Sequence, residues 1–400
     1  MKIAMRSLDE LGSVRRGKSK HRPRDSAHLY DGPYPFIQTS DVKNAGLYIT
    51  EYTQSYSAAG LAQSKLWKAG TLCITIAANI GDTAILSFEA CFPDSIIGFI
   101  ADPQKSDARY IKYLFDAVLQ KSFKSFTQGS AQDNLSQEKL LSLKLPVAED
   151  VQDQTLIADN LSAYDNLIDI NRRRIQLLEE SARLLYREWF VYFRFPGHEK
   201  VKIVDGIPNG WERKPISMLT SFLGRGVAPH YDEYAGGLVI NQKCIRGGRL
   251  DVSLSRRQSR EFKQDRQIQP GDVLINSTGE GTLGRVAQVI TPIANCTADT
   301  HVTIARPITE IGVHYFGQSL IAWEPRLSTM GRGSTNQTEL SRGQIGEIDI
   351  LVPSHLLVQQ FEEYSGPIFL QVSTLLEQNQ KLKIARDLLL PRLMSGAIEV

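Results

Sequence analysis

Cysteine, methionine and tryptophan are scarce in this chain, at four, five and four residues of 400. Cys73, Cys91, Cys244 and Cys296 form no CxxC pair and have no metal-ligand spacing with histidine. Zinc ribbons, redox pairs and disulfide frameworks are therefore excluded, and four reduced thiols in a cytoplasmic protein are expected. There is no run of 18 apolar residues and no charged-apolar-small leader, so no membrane association is expected. GxSxG is absent, and so is the N-P-P-Y or D-P-P-Y element used to transfer a methyl group to a base amine. His198, His230, His301, His314 and His355 are scattered. No set of groups for bond chemistry emerges, so neither catalytic residues nor a metal site is expected.

Net charge is also small, at +2, but it is unevenly distributed. Arg15, Arg16, Lys18, Lys20, His21, Arg22 and Arg24 fall within ten residues that contain no acid. Lys243, Arg246, Arg249, Arg256, Arg257, Arg260, Lys263 and Arg266 face only three acids. A charge run is usually a solvated face, but two runs at comparable places favour a phosphate-facing surface. Hydrophobic content of 42% leaves enough apolar residues for two or three domains with real cores.

The strongest positive feature is an internal duplication. Gly129-Ser130-Ala131-Gln132 with Leu135-Ser136 returns 204 to 205 residues later as Gly333-Ser334-Thr335-Asn336 with Leu340-Ser341. Each copy continues through Leu145-Pro146 or Val352-Pro353 into a heptad-patterned stretch. A period this long is not a solenoid repeat, so it marks two whole domains. Strands are expected at Phe36–Thr39, Thr71–Ile76 and Ala84–Phe88, then at Leu238–Ile240, Asp272–Ile275 and His301–Ile304. Helices are expected over Ala108–Ser125 and around Val313–Trp323. The fold class is α+β, with two similar mixed domains separated by a pair of long antiparallel coiled-coil helices. The expected divisions are 1–150 for the first domain, 151–193 for a central helix and 194–210 for a linker. The second domain then covers 211–353 and a C-terminal helix covers 354–400.

In the central stretch, Ile157, Leu161, Tyr164, Ile168, Asn171, Ile175, Leu178, Ala182, Leu185 and Trp189 keep the 4,3 spacing of a and d positions. Their counterparts include Phe361, Ser365, Ile368, Val372, Leu375, Asn379, Leu382, Arg386, Leu389 and Leu393. Gly366-Pro367 is expected to break or restart the second helix, with Ser365 as cap. An antiparallel pair places a opposite d, so Asn171 can share a layer with Asn379, Ile157 with Leu393, and Trp189 with Phe361. Such an overlap spans roughly 45–50 Å.

Two motifs point toward enzymes. Gly12–Ser19 matches the phosphate loop GxxxxGK[ST], but no buried strand precedes it and Pro23 spoils the helix that should follow. Asp205, Glu212 and Lys214 fit a loose nuclease spacing across a Gly/Pro-rich linker. A stand-alone ATPase or nuclease acting on DNA is thus the alternative reading. Asn276–Gly284 and Gly331–Thr338 instead combine glycine with amides and hydroxyls, the groups that meet phosphates and base edges.

The chain resembles the specificity subunits of type I restriction-modification systems. The likeness is carried by VLINSTGEGTLGRVA (273–287), VINQKCIRGGR (239–249), DTHVTIARP (299–307), GSTNQTELSR (333–342), TLCITIAANIGDTAIL (71–86), CFPDSIIGFIAD (91–102), NRRRIQLLEESARLLYREWFVYF (171–193) and RDLLLPRLMSGAIE (386–399). It implies a non-catalytic subunit in which each domain reads one half of a bipartite duplex sequence. It also implies two methyltransferase subunits and, in the full enzyme, two restriction/translocase subunits. S-adenosylmethionine, ATP and Mg²⁺ would then bind those partners, and the Lys18 segment would be a Gly-rich turn. The residues expected to meet DNA are Arg15, Arg16, Lys18, Lys20, Arg22 and Arg24 in the first domain. In the second they are Lys243, Arg246, Arg249, Arg256, Arg257, Ser334, Asn336 and Gln337.

Overall fold

The computed structural model describes residues 1–78, 80–119, 136–331 and 338–398. It forms two compact units, residues 1–172 with 377–400, and residues 173–376. The long helices, Val151–Tyr186 and His355–Met394, are each shared between the two units and do not stand as separate segments. Among the described residues no helix is long and apolar enough to cross a membrane.

The first unit is built on a five-stranded sheet in the order Gly12–Arg16, Ile96–Ala101, Leu72–Thr75, Thr83–Leu86, Tyr48–Ile49. Its first four strands are antiparallel neighbours and the last joins in parallel. The second unit repeats those four strands in the same order: Thr220–Arg225, Val302–Pro307, Val273–Asn276, Val286–Gln288. Leu72–Thr75 and Val273–Asn276 are buried at every position, which is why both read as apolar runs without alternation. Each unit closes on an antiparallel pair, Ile3–Arg6 with Leu145–Ala148 and Glu212–Pro215 with Asp349–Val352. The repeated Leu-Pro and Val-Pro elements therefore close each set of strands just before the long helix that follows it in the chain.

The repeated Leu-Ser also has a physical cause. Ser136 Oγ accepts the Lys139 amide at 3.1 Å, and Ser341 Oγ accepts the Gln344 amide at 3.2 Å. Each serine starts a short helix and contributes about 1 kcal/mol. In the first unit Gln154, fully buried, ties three elements together. Its amide donates to Ala148 O (2.8 Å) and Lys105 O (3.2 Å), and its carbonyl accepts from Asp107 N (3.0 Å).

Several expected boundaries shift. The strand through Phe36 ends there, because the Asp41 carboxylate accepts the Gln38 amide at 2.8 Å and starts the helix Thr39–Asn44. The helix expected over Ala108–Ser125 is α-helical over Ala108–Leu114 and π-helical over Phe115–Leu119, and the remainder lies outside the described residues. The linker holds a small hairpin, Ile203–Val204 with Ile207–Pro208. Gly366-Pro367 does not break its helix, and Ser365 is not a cap. Ser365 is buried inside the helix and its hydroxyl donates to Phe361 O at 2.7 Å. Phe361, Phe369 and Val372, all buried around the proline, hold the helix through it.

Within each unit the long helices run antiparallel. In the first, Ile157, Ala158 and Leu161 join Leu390, Leu393 and Met394 in the main core, and Asn171 Nδ2 donates to Asn379 Oδ1 at 3.0 Å. In the second, Ile175 packs with Val372 and Leu375, and the Trp189 ring lies 5.9 Å from that of Phe361. Ile168 is buried; Leu178, Leu185, Ile368, Leu382 and Leu389 are half-buried.

The helix Val313–Leu327 is capped from a distance. Glu362 Oε1 accepts the His314 and Tyr315 amides at 3.0 and 2.8 Å. The His314 ring stacks on Phe369 at 4.3 Å, and burial pulls its pKa down to about 4. A depressed histidine keeps its contribution above its unfolded value near 6.5 and loses it as pH falls toward 4, a loss of about 2–3 kcal/mol. Burial raises Glu362, which acts oppositely above its ordinary value, so the comparison must be made with a His314→Gln variant. Chemical denaturation at stepped pH should show wild type losing stability relative to that variant between pH 6.5 and 4. Parallel curves would remove the argument.

Candidate nucleic-acid interface

In the first unit the basic run begins on a strand. Gly12–Arg16 lies at the sheet edge, and the next amides, Gly17 and Lys18, donate to Ile96 O and Phe92 O at 2.8 and 3.0 Å. The expected Gly-rich turn at Lys18 is thus a strand and its exit. The amides that a phosphate loop would turn outward are spent on the protein itself, so the ATPase reading has no structural basis here.

The loop that follows is fixed by two neighbours from the segment after the helix Ala58–Ala62. Gln63 Oε1 accepts the Lys20 and His21 amides at 2.6 and 3.0 Å, and Ser64 Oγ donates to Lys18 O at 2.6 Å. Not every cation is presented outward. Arg24 makes a two-pronged pair with Asp94 at 2.8 and 3.0 Å, and Arg16 donates to the Asp94 carbonyl. Arg22 folds back on Ser19 O and His21 O at 2.9 and 2.8 Å. Arg15 and Lys20 are exposed and Lys18 is half-buried. Lys65, isolated in sequence and outside both basic runs, lies with its ammonium 3.6 Å from the Trp67 ring centre.

In the second unit Lys243, Arg246, Arg256 and Arg257 are exposed. Arg256 stacks on Tyr231 at 3.5 Å, and Arg257 donates to Ala235 O at 2.8 Å. Arg249 is committed elsewhere, to an ion pair with Glu179 on the long helix. Ser334, Asn336 and Gln337 lie outside the described residues. Among the described residues of the second unit the structure assembles a polar cluster that sequence reasoning did not connect. Thr278 Oγ1 meets His301 Nδ1 at 2.7 Å and Gln242 Nε2 at 2.9 Å. Arg225 reaches Glu339 at 2.6 Å and Leu340 O at 3.0 Å. These residues come from five separate stretches, so only the Gly-rich loop Asn276–Gly284 could have signalled the place.

The nuclease spacing dissolves too. Glu212 and Lys214 lie on one strand and pair with each other at 2.9 Å. Among the described residues no group of His, Cys, Asp and Glu is arranged to hold a metal. All four cysteines are buried, and burial pushes their thiols upward, Cys244 to about 11 and Cys296 to about 12. They are packing residues, not nucleophiles.

The family model described as type I restriction modification DNA specificity domain matches residues 2–180. The type I restriction enzyme MjaIX specificity subunit of Methanocaldococcus jannaschii is 24% identical over 412 aligned positions, covering 99% of this chain and 93% of that protein. The crystal structure of a type I restriction-modification system S subunit from M. genitalium has the same fold. It superposes with a TM-score of 0.59 at 16% identity, over 98% of this chain and 96% of that one. With a duplicated scaffold, basic loops in both copies and long helices after each, the chain resembles type I restriction-modification specificity subunits over its length, and its first 180 residues carry the match to the DNA specificity domain.

Proposed function

We propose that the two units read the two halves of one bipartite duplex word and direct adenine methylation, or ATP-dependent cleavage, by partner subunits. The observation that carries this reading is the repeated four-strand order, each copy ending in its own closing pair and long helix. Two similar readers joined in one chain suit a target with two separated parts. Phosphate contacts from Lys18, Lys20, Lys243 and Arg246 would anchor the duplex. Gln242, Arg256 and the Gly-rich loops would approach base edges. S-adenosylmethionine, ATP and Mg²⁺ belong in this reading to the partners. Methylome sequencing of cells with and without the chain tests it. A bipartite adenine mark that disappears with the chain supports the reading, and an unchanged methylome overturns it.

The partners in this reading are two methyltransferase subunits, joined in the full enzyme by restriction/translocase subunits. Within the second unit the long helix leaves Leu177 72% exposed, and Leu184 follows one heptad on, also exposed. A row of apolar side chains on a helix face is a groove-filling surface for another protein. Leu177→Glu with Leu184→Glu should abolish co-purification with the methyltransferase subunit while leaving DNA binding by the free chain unchanged. Intact co-purification would place docking elsewhere.

A further inference from the structure

Arg15 and Lys65, fifty residues apart in sequence, come within electrostatic reach of each other on one face of the first sheet. Arg15 lies directly opposite Gly98 across the antiparallel pair, so the two positions point to the same side. A Cβ on Gly98 would come within 2.6 Å of the Trp67 ring, so the glycine is what lets the indole lie against the sheet. Phe92 stacks on that indole at 4.6 Å, and Lys65 Nζ sits 3.6 Å from its centre. The aromatic face holds the ammonium by cation–π attraction. Among the described residues neither Arg15 nor Lys65 forms an ion pair. Burial, and then the Arg15 guanidinium, pull the Lys65 ammonium below its ordinary range.

The scaffold itself does not require this arrangement. In the second unit the position that matches Gly98, paired on both sides of the hub strand, is Ile304. Ile304 lies opposite Gly224 and Leu274, where the first unit has Arg15 and Cys73. The same sheet is built there without a cation at the Arg15 position. Two like charges held together without a carboxylate make a site prepared for an anion.

We propose that Arg15 and Lys65 jointly grip one backbone phosphate of the duplex, with Trp67 and Gly98 as positioning residues. This rests on the reading of the first unit as DNA-binding. The test is the salt dependence of binding of a labelled random-sequence duplex to the full chain, where each lost phosphate contact lowers the log–log slope by about 0.9. Lys65→Ala should weaken binding and lower the slope by up to that amount, and Lys65→Arg should restore it. Arg15→Ala/Lys65→Ala should lower it by about 0.9 in total, because one phosphate is shared. Gly98→Ala, which displaces Trp67 without removing a charge, should lower the slope in the same direction. A fall of about twice that size in the double variant would mean two separate contacts and overturn the shared grip. An unchanged slope in Lys65→Ala, with circular dichroism showing the wild-type fold, overturns it outright. If Lys20→Ala also leaves the slope unchanged, the reading of the first unit as DNA-binding falls with it.

Discussion

Adding one heptad to each long helix will lengthen the unread gap of the DNA word by about three base pairs, with both half-words unchanged. Seven residues add about 10.5 Å of helix, and one base pair of duplex occupies about 3.4 Å. The insertions belong after Arg172 and after Leu376, between the layer of Asn171 with Asn379 and the layer of Ile175 with Leu375. Whole heptads keep the apolar seam facing its partner, with a drift of only about 20°. Adding three residues to one helix alone would instead break the 4,3 spacing of the seam at the insertion and turn its apolar positions off their partners. Methylome sequencing of cells carrying each variant reads the outcome directly. A gap that stays fixed in the double-heptad variant would show that helix length does not set the spacing.

What the sequence made legible, and what it hid, divide along physical lines. The asparagine layer could be counted because a heptad seam is a local pattern whose antiparallel pairing follows from two polar positions. The duplication could be read because Ser136 and Ser341 are caps, and capping chemistry leaves a local signature. Gly366-Pro367 misled because a proline's local penalty says nothing of the apolar neighbours that hold the helix through it. Gly12–Ser19 imitated a phosphate loop because the letters do not record where the Gly17 and Lys18 amides go. The Glu362 cap, 48 residues from His314, and the joining of Lys65 to Arg15 are products of tertiary folding. A run of charge marks only cations that are neighbours in sequence, and Lys65, held by an aromatic ring, lies outside both runs. Those runs also include Arg24 and Arg249, which are spent on Asp94 and Glu179.

Removing the Asp165 carboxylate will cost more stability than any other single change considered for the first unit. Its side chain is 5% exposed and pairs with Arg386, itself 20% exposed, across the helix pair. Tyr113 Oη donates to the other carboxylate oxygen at 2.6 Å, so one acid joins the helix Ala108–Leu114 to both long helices. Burial and then the Asp165 charge push the Tyr113 phenol well above its ordinary value, which keeps it a donor. Asp165→Ala leaves the half-buried Arg386 guanidinium with only the exposed Asp387 carboxylate, 2.7 Å away, and the Tyr113 phenol without its acceptor, a loss of about 3 kcal/mol, the low end for a broken buried pair. Replacing the pair together, as Asp165→Leu with Arg386→Met, strands no charge and should recover most of that loss. Amide hydrogen exchange over residues 157–168 distinguishes the cases. Protection should fall by roughly two orders of magnitude in Asp165→Ala and return toward wild type in the double variant. Protection in Asp165→Ala within tenfold of wild type would mean that Asp387 and solvent satisfy Arg386, and that the asparagine layer with its apolar neighbours holds the pair without this ion.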